Sequence, residues 1–143
     1  MRRRALVVIL SSAAFCALST RAQYKDECRE GTGDLGIGEY VCNGGDCSVS
    51  TRLKDGRVVH QFSIEPHIAA IDPNGPSVGK LQERDVLVAI DGRLVTTLEG
   101  GYRLANAKIG VAVKLRIRRD KKELEVTVLP GKGCNLPRIT VVH

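Results

Sequence analysis

The chain has 143 residues and a formal net charge of +6, with 27% charged and 43% hydrophobic residues. This length excludes a large multidomain enzyme and fits one compact domain with short extensions, and the composition excludes disorder over most of the chain. A basic chain suggests a nucleic-acid partner, and the positions of the basic residues along the chain decide whether this suggestion holds.

Residues 1–22 have the pattern of a secretory signal peptide. Arginines at positions 2–4 precede an apolar run, and small residues lead to a cleavage point before Gln23. The run is shorter than the roughly 20 apolar residues of a membrane span, so an uncleaved membrane anchor is the less favoured alternative. Four of the 22 basic residues and none of the 16 acidic residues lie in this segment, which leaves a net charge of +2. We therefore predict an exported protein, periplasmic or secreted, with no stable membrane insertion after cleavage.

Four cysteines follow the predicted signal peptide: Cys28, Cys42, Cys47 and Cys134. An even number of cysteines in an exported chain is typical of disulfide bonds, and four allow three pairings. We favour Cys42–Cys47 as a local loop and Cys28–Cys134 as a link between the two ends, although the sequence does not choose among the pairings. A zinc site is less favoured because no second close pair exists, and redox-active thiols are less favoured because the chain has no C-x-x-C motif. No metal or cofactor is expected.

The first half of the remaining chain has strand and turn patterns. Residues 23–32 form an irregular lead-in, and residues 35–42 a glycine-rich turn that leads into a strand. Residues 48–62 are typical of a β-hairpin around Asp55-Gly56. A two-residue turn there would pair three residues of each strand: Val49, Thr51 and Leu53 opposite Phe62, His60 and Val58.

The middle of the chain alternates strands with short loops. A strand at residues 68–71 ends in a loop rich in proline and glycine, and residues 77–81 favour one helical turn. A second strand at residues 85–90 turns at Asp91-Gly92.

A helix is predicted over residues 98–107, with Thr96 or Thr97 as its N-terminal cap. Gly100 and Gly101 weaken this helix by about 1 kcal/mol each relative to alanine. Their lack of a side chain also allows another backbone to approach closely.

Residues 111–129 are predicted to form the last hairpin, which carries the densest basic cluster of the chain: Lys114, Arg116, Arg118, Arg119, Lys121 and Lys122. With residues 119–122 as the loop, the cross-strand pairs are Arg118 with Glu123, Arg116 with Glu125, Ile117 with Leu124, Leu115 with Val126, and Val113 with Val128. The cations then lie opposite acids on a solvated sheet face, and no aromatic residue lies nearby to stack on bases. We therefore expect no nucleic-acid partner.

Two segments, residues 68–77 and residues 81–92, resemble the core of a PDZ domain: a strand, a turn with proline, a short helical turn and an aspartate-led strand ending in Asp-Gly. Upstream, Leu35-Gly36-Ile37 resembles the family's carboxylate-binding loop. The resemblance covers residues 33–130 and implies an α+β fold: a small, mainly antiparallel β-sandwich or partly open barrel capped by two helices, the first very short. The segment near residues 42–62 is then an insertion, and a tail with Cys134 follows at residues 131–143.

The resemblance also implies a peptide site. PDZ domains bind peptides by strand addition, here between the strand at residues 37–41 and the helix at residues 98–107. The terminal carboxylate of a peptide or protein would then lie on backbone N–H groups of the loop. The implied site residues are Leu35, Gly36, Ile37, Gly38, Thr97, Gly101 and Leu104. Where many members carry a ligand-selecting histidine, this chain has Thr97 or Leu98, and Arg84 replaces the usual glycine before the strand aspartate.

Catalysis is not expected. The histidines are His60, His67 and His143, and none lies in a hydrolase or metalloprotease motif. His60 fits a partly buried strand position. The leading interpretation is a non-catalytic, exported peptide-binding module. The alternative is a disulfide-stapled interaction subunit of an envelope protease or secretion complex, with its groove blocked by the insertion.

Overall fold

The computed structural model describes residues 31–143. The predicted signal peptide, its cleavage point and Cys28 lie outside the described residues. Within them the chain forms nine strands and one helix: β1 (Ile37–Asn43), β2 (Cys47–Arg52), β3 (Val58–Phe62), β4 (His67–Ile71), β5 (Val86–Ile90), β6 (Arg93–Leu94), α1 (Leu98–Ala105), β7 (Val113–Arg119), β8 (Lys122–Val128) and β9 (Arg138–Val142).

The strands form one large sheet and one hairpin. The large sheet has the order β8-β7-β5-β4-β1-β9, with β6 paired to β5, and β2 and β3 form a separate two-stranded sheet. All these pairs are antiparallel except β1 with β9, which is parallel. The core lies along the inward faces of the sheet and one side of the helix, and its largest fully buried residues include Tyr40, Leu35, Ile68, Leu87, Ile90, Leu104, Leu115 and Ile117.

The β7–β8 hairpin has the predicted register. Arg118 lies opposite Glu123, Ile117 opposite Leu124 and Val113 opposite Val128. The turn itself is only Asp120-Lys121, both with positive φ, as a two-residue turn of this kind requires. Four of the six cations form ion pairs with acids, including Arg118 with Glu65 at 3.1 Å. The basic cluster is therefore largely a paired sheet face.

The predicted register of the β2–β3 hairpin is wrong. Arg52, not Leu53, lies opposite Val58, because the turn has three residues, Lys54-Asp55-Gly56, with Gly56 in the left-handed region at φ +86°. This is a common three-residue loop with glycine at its last position. A further irregularity lies between Ser48 and Thr51, where Ser50 has φ +51°, and it shifts the pairing again.

The helix begins and ends close to the prediction. Thr97 is the N-terminal cap, since its Oγ1 accepts a hydrogen bond from the Gly100 N–H at 3.1 Å. The helix ends at Ala105, two residues earlier than predicted, and the Asn106 N–H still bonds to the Tyr102 carbonyl. The single helical turn predicted at residues 77–81 is present as one hydrogen-bonded turn, in which the Leu81 N–H donates to the Ser77 carbonyl at 3.0 Å, and it does not extend into a helix.

Strand β9 was not predicted. Residues 131–143 were expected to be a tail, yet residues 138–142 form a full strand of the main sheet. The sequence Arg138-Ile139-Thr140-Val141-Val142 is rich in β-branched residues, which favour strands. That composition is the feature from which the strand could have been found.

Candidate functional site

Both edges of β1, the strand to which a ligand would add, are paired within the chain. β4 takes one edge in antiparallel register, with Tyr40 opposite Ile68. β9 takes the other edge, with Glu39 opposite Arg138 and Asn43 opposite Val142. The edge expected to receive a peptide therefore carries the protein's own C-terminal strand.

The C-terminal tail reaches this edge by crossing the end of the predicted groove. Asp34 and Gly131 exchange two backbone hydrogen bonds of 2.9 Å beside the glycine loop. Farther along, the Asn135 side chain is buried and donates to the Leu104 carbonyl of α1 at 3.0 Å. The tail then enters β9, where Ile139 packs against the core. The segment thus touches the loop, the helix and β1 in turn, as a bound ligand would.

The loop that resembles a carboxylate-binding loop is bonded to an internal carboxylate. The Gly36 N–H donates to Oδ1 of Asp34 at 2.8 Å, and Gly36 has φ +75°. Burial raises the pKa of Asp34, the Gly36 hydrogen bond lowers it, and the nearby charge of Asp72 raises it. The Leu35 carbonyl accepts a short hydrogen bond of 2.5 Å from the Ser77 hydroxyl. A negative charge of the protein therefore already lies at the loop.

The predicted site residues lie mostly in the interior. Leu35 and Leu104 are fully buried and Ile37 is nearly so, and all three belong to the main hydrophobic core. Gly38 lies against Ala70 of β4. Thr97 is exposed and caps the helix. The structure therefore brings Leu35, Ile37 and Leu104 together as core side chains.

The helix packs against the hairpin insertion. α1 lies against β3, and a side chain at Gly101 would collide with the His60 carbonyl of that strand. A side chain at Gly100 would collide with the Leu94 carbonyl of β6. The close backbone approach expected at the two glycines is therefore confirmed, and one of the approaching backbones belongs to the insertion.

The hairpin also carries a small aromatic cluster. The rings of Tyr40, His60 and Phe62 pack edge to face, with the Tyr40 and Phe62 centroids 5.2 Å apart. The Ser50 N–H donates to Nδ1 of His60 at 3.1 Å. Burial lowers the pKa of His60 to about 4 and raises the pKa of Tyr40 above its ordinary value. Nδ1 of this histidine is thus bonded within the hairpin, whereas its Nε2 is buried without a hydrogen-bond partner among the described residues.

A cavity of about 400 Å³ lies between the hairpin and the start of the helix. Its walls include Ser48 and Gln61 of the hairpin and Thr97 and Leu98 at the helix start. Most of the exposed lining surface is apolar.

The structure tests the disulfide prediction in part. Cys42 and Cys47 are joined by a disulfide bond, as predicted. Cys134 is also disulfide-bonded, and its predicted partner, Cys28, lies outside the described residues.

Within residues 31–143 there is no cluster of three metal-ligating side chains. The same part of the chain has no helix long and apolar enough to cross a membrane.

Comparison with known proteins decides the family. The sequence matches the PDZ domain family over residues 33–129. The chain belongs to the PDZ domain family. The match leaves out β9, which lies beyond residue 129, so the strand on the β1 edge comes from outside the matched region.

The relatives of this PDZ domain are parts of larger proteins. It is 37% identical over 59 residues to the pro-apoptotic serine protease NMA111 of Ajellomyces capsulatus, covering 41% of this chain and 6% of that protein. It is 40% identical over 55 residues to the protein of the same name from Coccidioides immitis, covering 38% of this chain and 5% of that protein. The chain therefore spans only about a twentieth of these relatives.

Solved structures give a weaker similarity. The HtrA-type protease AlgW with a decapeptide matches with a TM-score of 0.47 and 17% identity, covering 70% of this chain and 29% of that one. The serine endoprotease from Yersinia pestis matches with a TM-score of 0.41 and 15% identity, covering 46% and 25%.

Proposed function

We propose that the protein is a non-catalytic PDZ module that binds extended peptide segments by strand addition to β1, in exchange for its own β9. The observation that carries this proposal is the pairing of β9 along the β1 edge from Glu39 to Asn43. A ligand strand of comparable length would make the same backbone hydrogen bonds, which give strand addition its affinity.

The part of the tail that can exchange is β9 with the few residues between it and the disulfide-bonded Cys134. The segment at residues 131–137 contains two glycines and one proline and has no strand or helix. Three of the five residues of β9 are at least partly solvent-exposed on its outer face: Arg138, Thr140 and Val142. Such a strand has less buried apolar surface to lose than the central strands, so its release costs less than unfolding of the domain.

Capture of a terminal carboxylate is not part of this proposal. The Gly36 N–H already donates to the Asp34 carboxylate, and a second negative charge there would be repelled. The test is a panel of extended peptides in free-acid and C-terminal amide forms, titrated into the full chain up to several millimolar, above the effective concentration of the tethered β9. We expect the two forms to bind equally, with hydrogen exchange accelerated at the displaced β9. Clearly tighter binding of the free acids would restore carboxylate capture and contradict the proposal.

A second candidate function is that of an interaction subunit with a permanently closed groove. The observation that favours it is the packing of α1 on β3, with the His60 carbonyl against Gly101. Such a subunit would dock onto an envelope protease or secretion component through another surface. Absence of binding for every peptide, together with unchanged exchange at β9, would favour this candidate.

We also propose that the protein is exported. Two described cysteines form the Cys42–Cys47 disulfide and a third, Cys134, is bonded as well, as is typical of oxidising compartments. The test is mass spectrometry of the protein in culture supernatant or envelope extract. We expect a chain that begins at Gln23 with no free thiol. A cytoplasmic chain that keeps its first 22 residues would contradict this.

A further inference from the structure

Strand β9 lies on β1 as a segment with two distinct faces. Ile139 packs against the core, and it is in register with the buried Tyr40. Val141 is in register with the buried Cys42 and is itself half-buried. A segment that replaces β9 must therefore supply apolar residues at two alternate positions, and β-branched residues suit a half-buried strand best.

One acidic residue, Glu39 of β1, contacts the outer face of β9. Glu39 of β1 accepts a hydrogen bond of 2.8 Å from the Thr140 hydroxyl. Its other oxygen lies 3.5 Å from the Arg138 guanidinium. The Glu39 side chain is only 24% exposed, whereas that of Arg138 is 80% exposed. The acid is thus fixed by the domain, while the cation comes from the exchangeable strand.

Two acidic residues lie at the loop end of the groove. Asp34 lies beside Gly36 there, and the charge of Asp72 is close enough to raise the pKa of Asp34. β9 itself enters from this end as a continuous backbone that follows Pro137. Because β9 is parallel to β1, a ligand in its place has its amino-terminal side at this end, and its carboxyl-terminal side lies toward Asn43 at the far end of β1.

We infer that β1 selects extended segments that lie parallel to it, with a basic residue opposite Glu39 and β-branched residues at the two positions that alternate with the outer face. This inference rests on the proposed strand exchange. It assigns to Glu39 the role of a specificity-determining residue, and it predicts ligands that resemble Arg138-Ile139-Thr140-Val141 in pattern.

The test uses the full chain with Ile139→Asp, which removes the apolar anchor of β9 and leaves β1 intact. The probe is a labelled peptide of residues 135–142, acetylated and amidated, and its affinity is measured by fluorescence anisotropy. Circular dichroism checks folding, and Val141→Asp is the substitute if the first variant does not fold. We expect this peptide to bind about fivefold tighter than a version with Arg138→Glu, because a partly exposed ion pair contributes up to about 1 kcal/mol.

Charge reversal on the protein then decides the role of Glu39. With Glu39→Lys added, we expect the order of the two peptides to invert. With Glu125→Lys, an exposed acid on the distant strand β8, the order should stay as it was. Equal binding of the two peptides to all these proteins would overturn the specificity inference and leave strand exchange intact. Failure of both peptides to bind a folded variant would overturn strand exchange, and the inference with it.

Discussion

The buried histidine of the hairpin insertion makes a quantitative prediction about stability. Burial lowers the pKa of His60 from 6.5 to about 4 in the folded protein. The unfolded chain therefore binds a proton more readily between these values, and stability falls as the pH falls from 6.5 toward 4. Each pKa unit corresponds to about 1.36 kcal/mol. Protonation linked to this one residue therefore lowers the free energy of unfolding by about 3 kcal/mol as the pH falls through this range. Native stabilities of single domains are about 5–15 kcal/mol, and the loss is therefore large.

The assay is urea denaturation of the wild type and of His60→Asn at pH 7 and at pH 4.5. An asparagine oxygen keeps an acceptor for the Ser50 N–H and does not titrate. At pH 7 the variant should be less stable because it loses ring packing against Tyr40 and Phe62. At pH 4.5 the difference should shrink by about 2–3 kcal/mol. A difference that stays constant between the two pH values would refute the assignment of this titration to His60.

Three further changes test individual contacts that stabilise the domain. Gly101→Ala should destabilise the domain by about 2 kcal/mol in thermal or chemical denaturation, because its methyl group meets a β3 carbonyl, whereas Gly131→Ala, with open space around it, should be nearly neutral. Replacement of both Cys42 and Cys47 by alanine should lower the free energy of unfolding by about 2 kcal/mol, because the disulfide no longer closes its loop in the unfolded chain. Equal stability of the wild type and this variant under oxidising conditions would contradict this. Asp85→Asn should lower the free energy of unfolding by about 2 kcal/mol, because it removes the charged partner of Arg119 at a buried position. A loss below 0.5 kcal/mol would show that this ion pair contributes little to stability.

Local chemistry made much of the fold predictable. The Asp91-Gly92 turn has both residues at positive φ and joins β5 to β6 as a two-residue turn, and the β7–β8 register follows from the alternation of apolar and charged residues. The Asp55-Gly56 turn was misassigned because the same dipeptide fits a two-residue and a three-residue loop. Only the cross-strand packing of the hairpin distinguishes the two.

The candidate site was less predictable than the fold. The glycine loop and the helix were recognisable, and Thr97 was one of two predicted caps. The occupant of the groove was missed because a strand at residues 138–142 belongs to this site only through a parallel pairing with β1, about a hundred residues earlier in the chain. No local pattern encodes such a partner, whereas the β-branched composition of the segment does predict a strand.

The attachment of β9 to the domain sets a threshold on affinity. Six residues, 132–137, connect Gly131, bonded to Asp34, with the first residue of β9. A strand on so short a connection competes at an effective concentration of about a millimolar or more. A separate ligand with the same intrinsic affinity must reach that concentration to displace half of it. Isolated peptides at micromolar levels would then bind poorly, and partners that present several copies, or that are held beside the domain by a second contact, would be favoured.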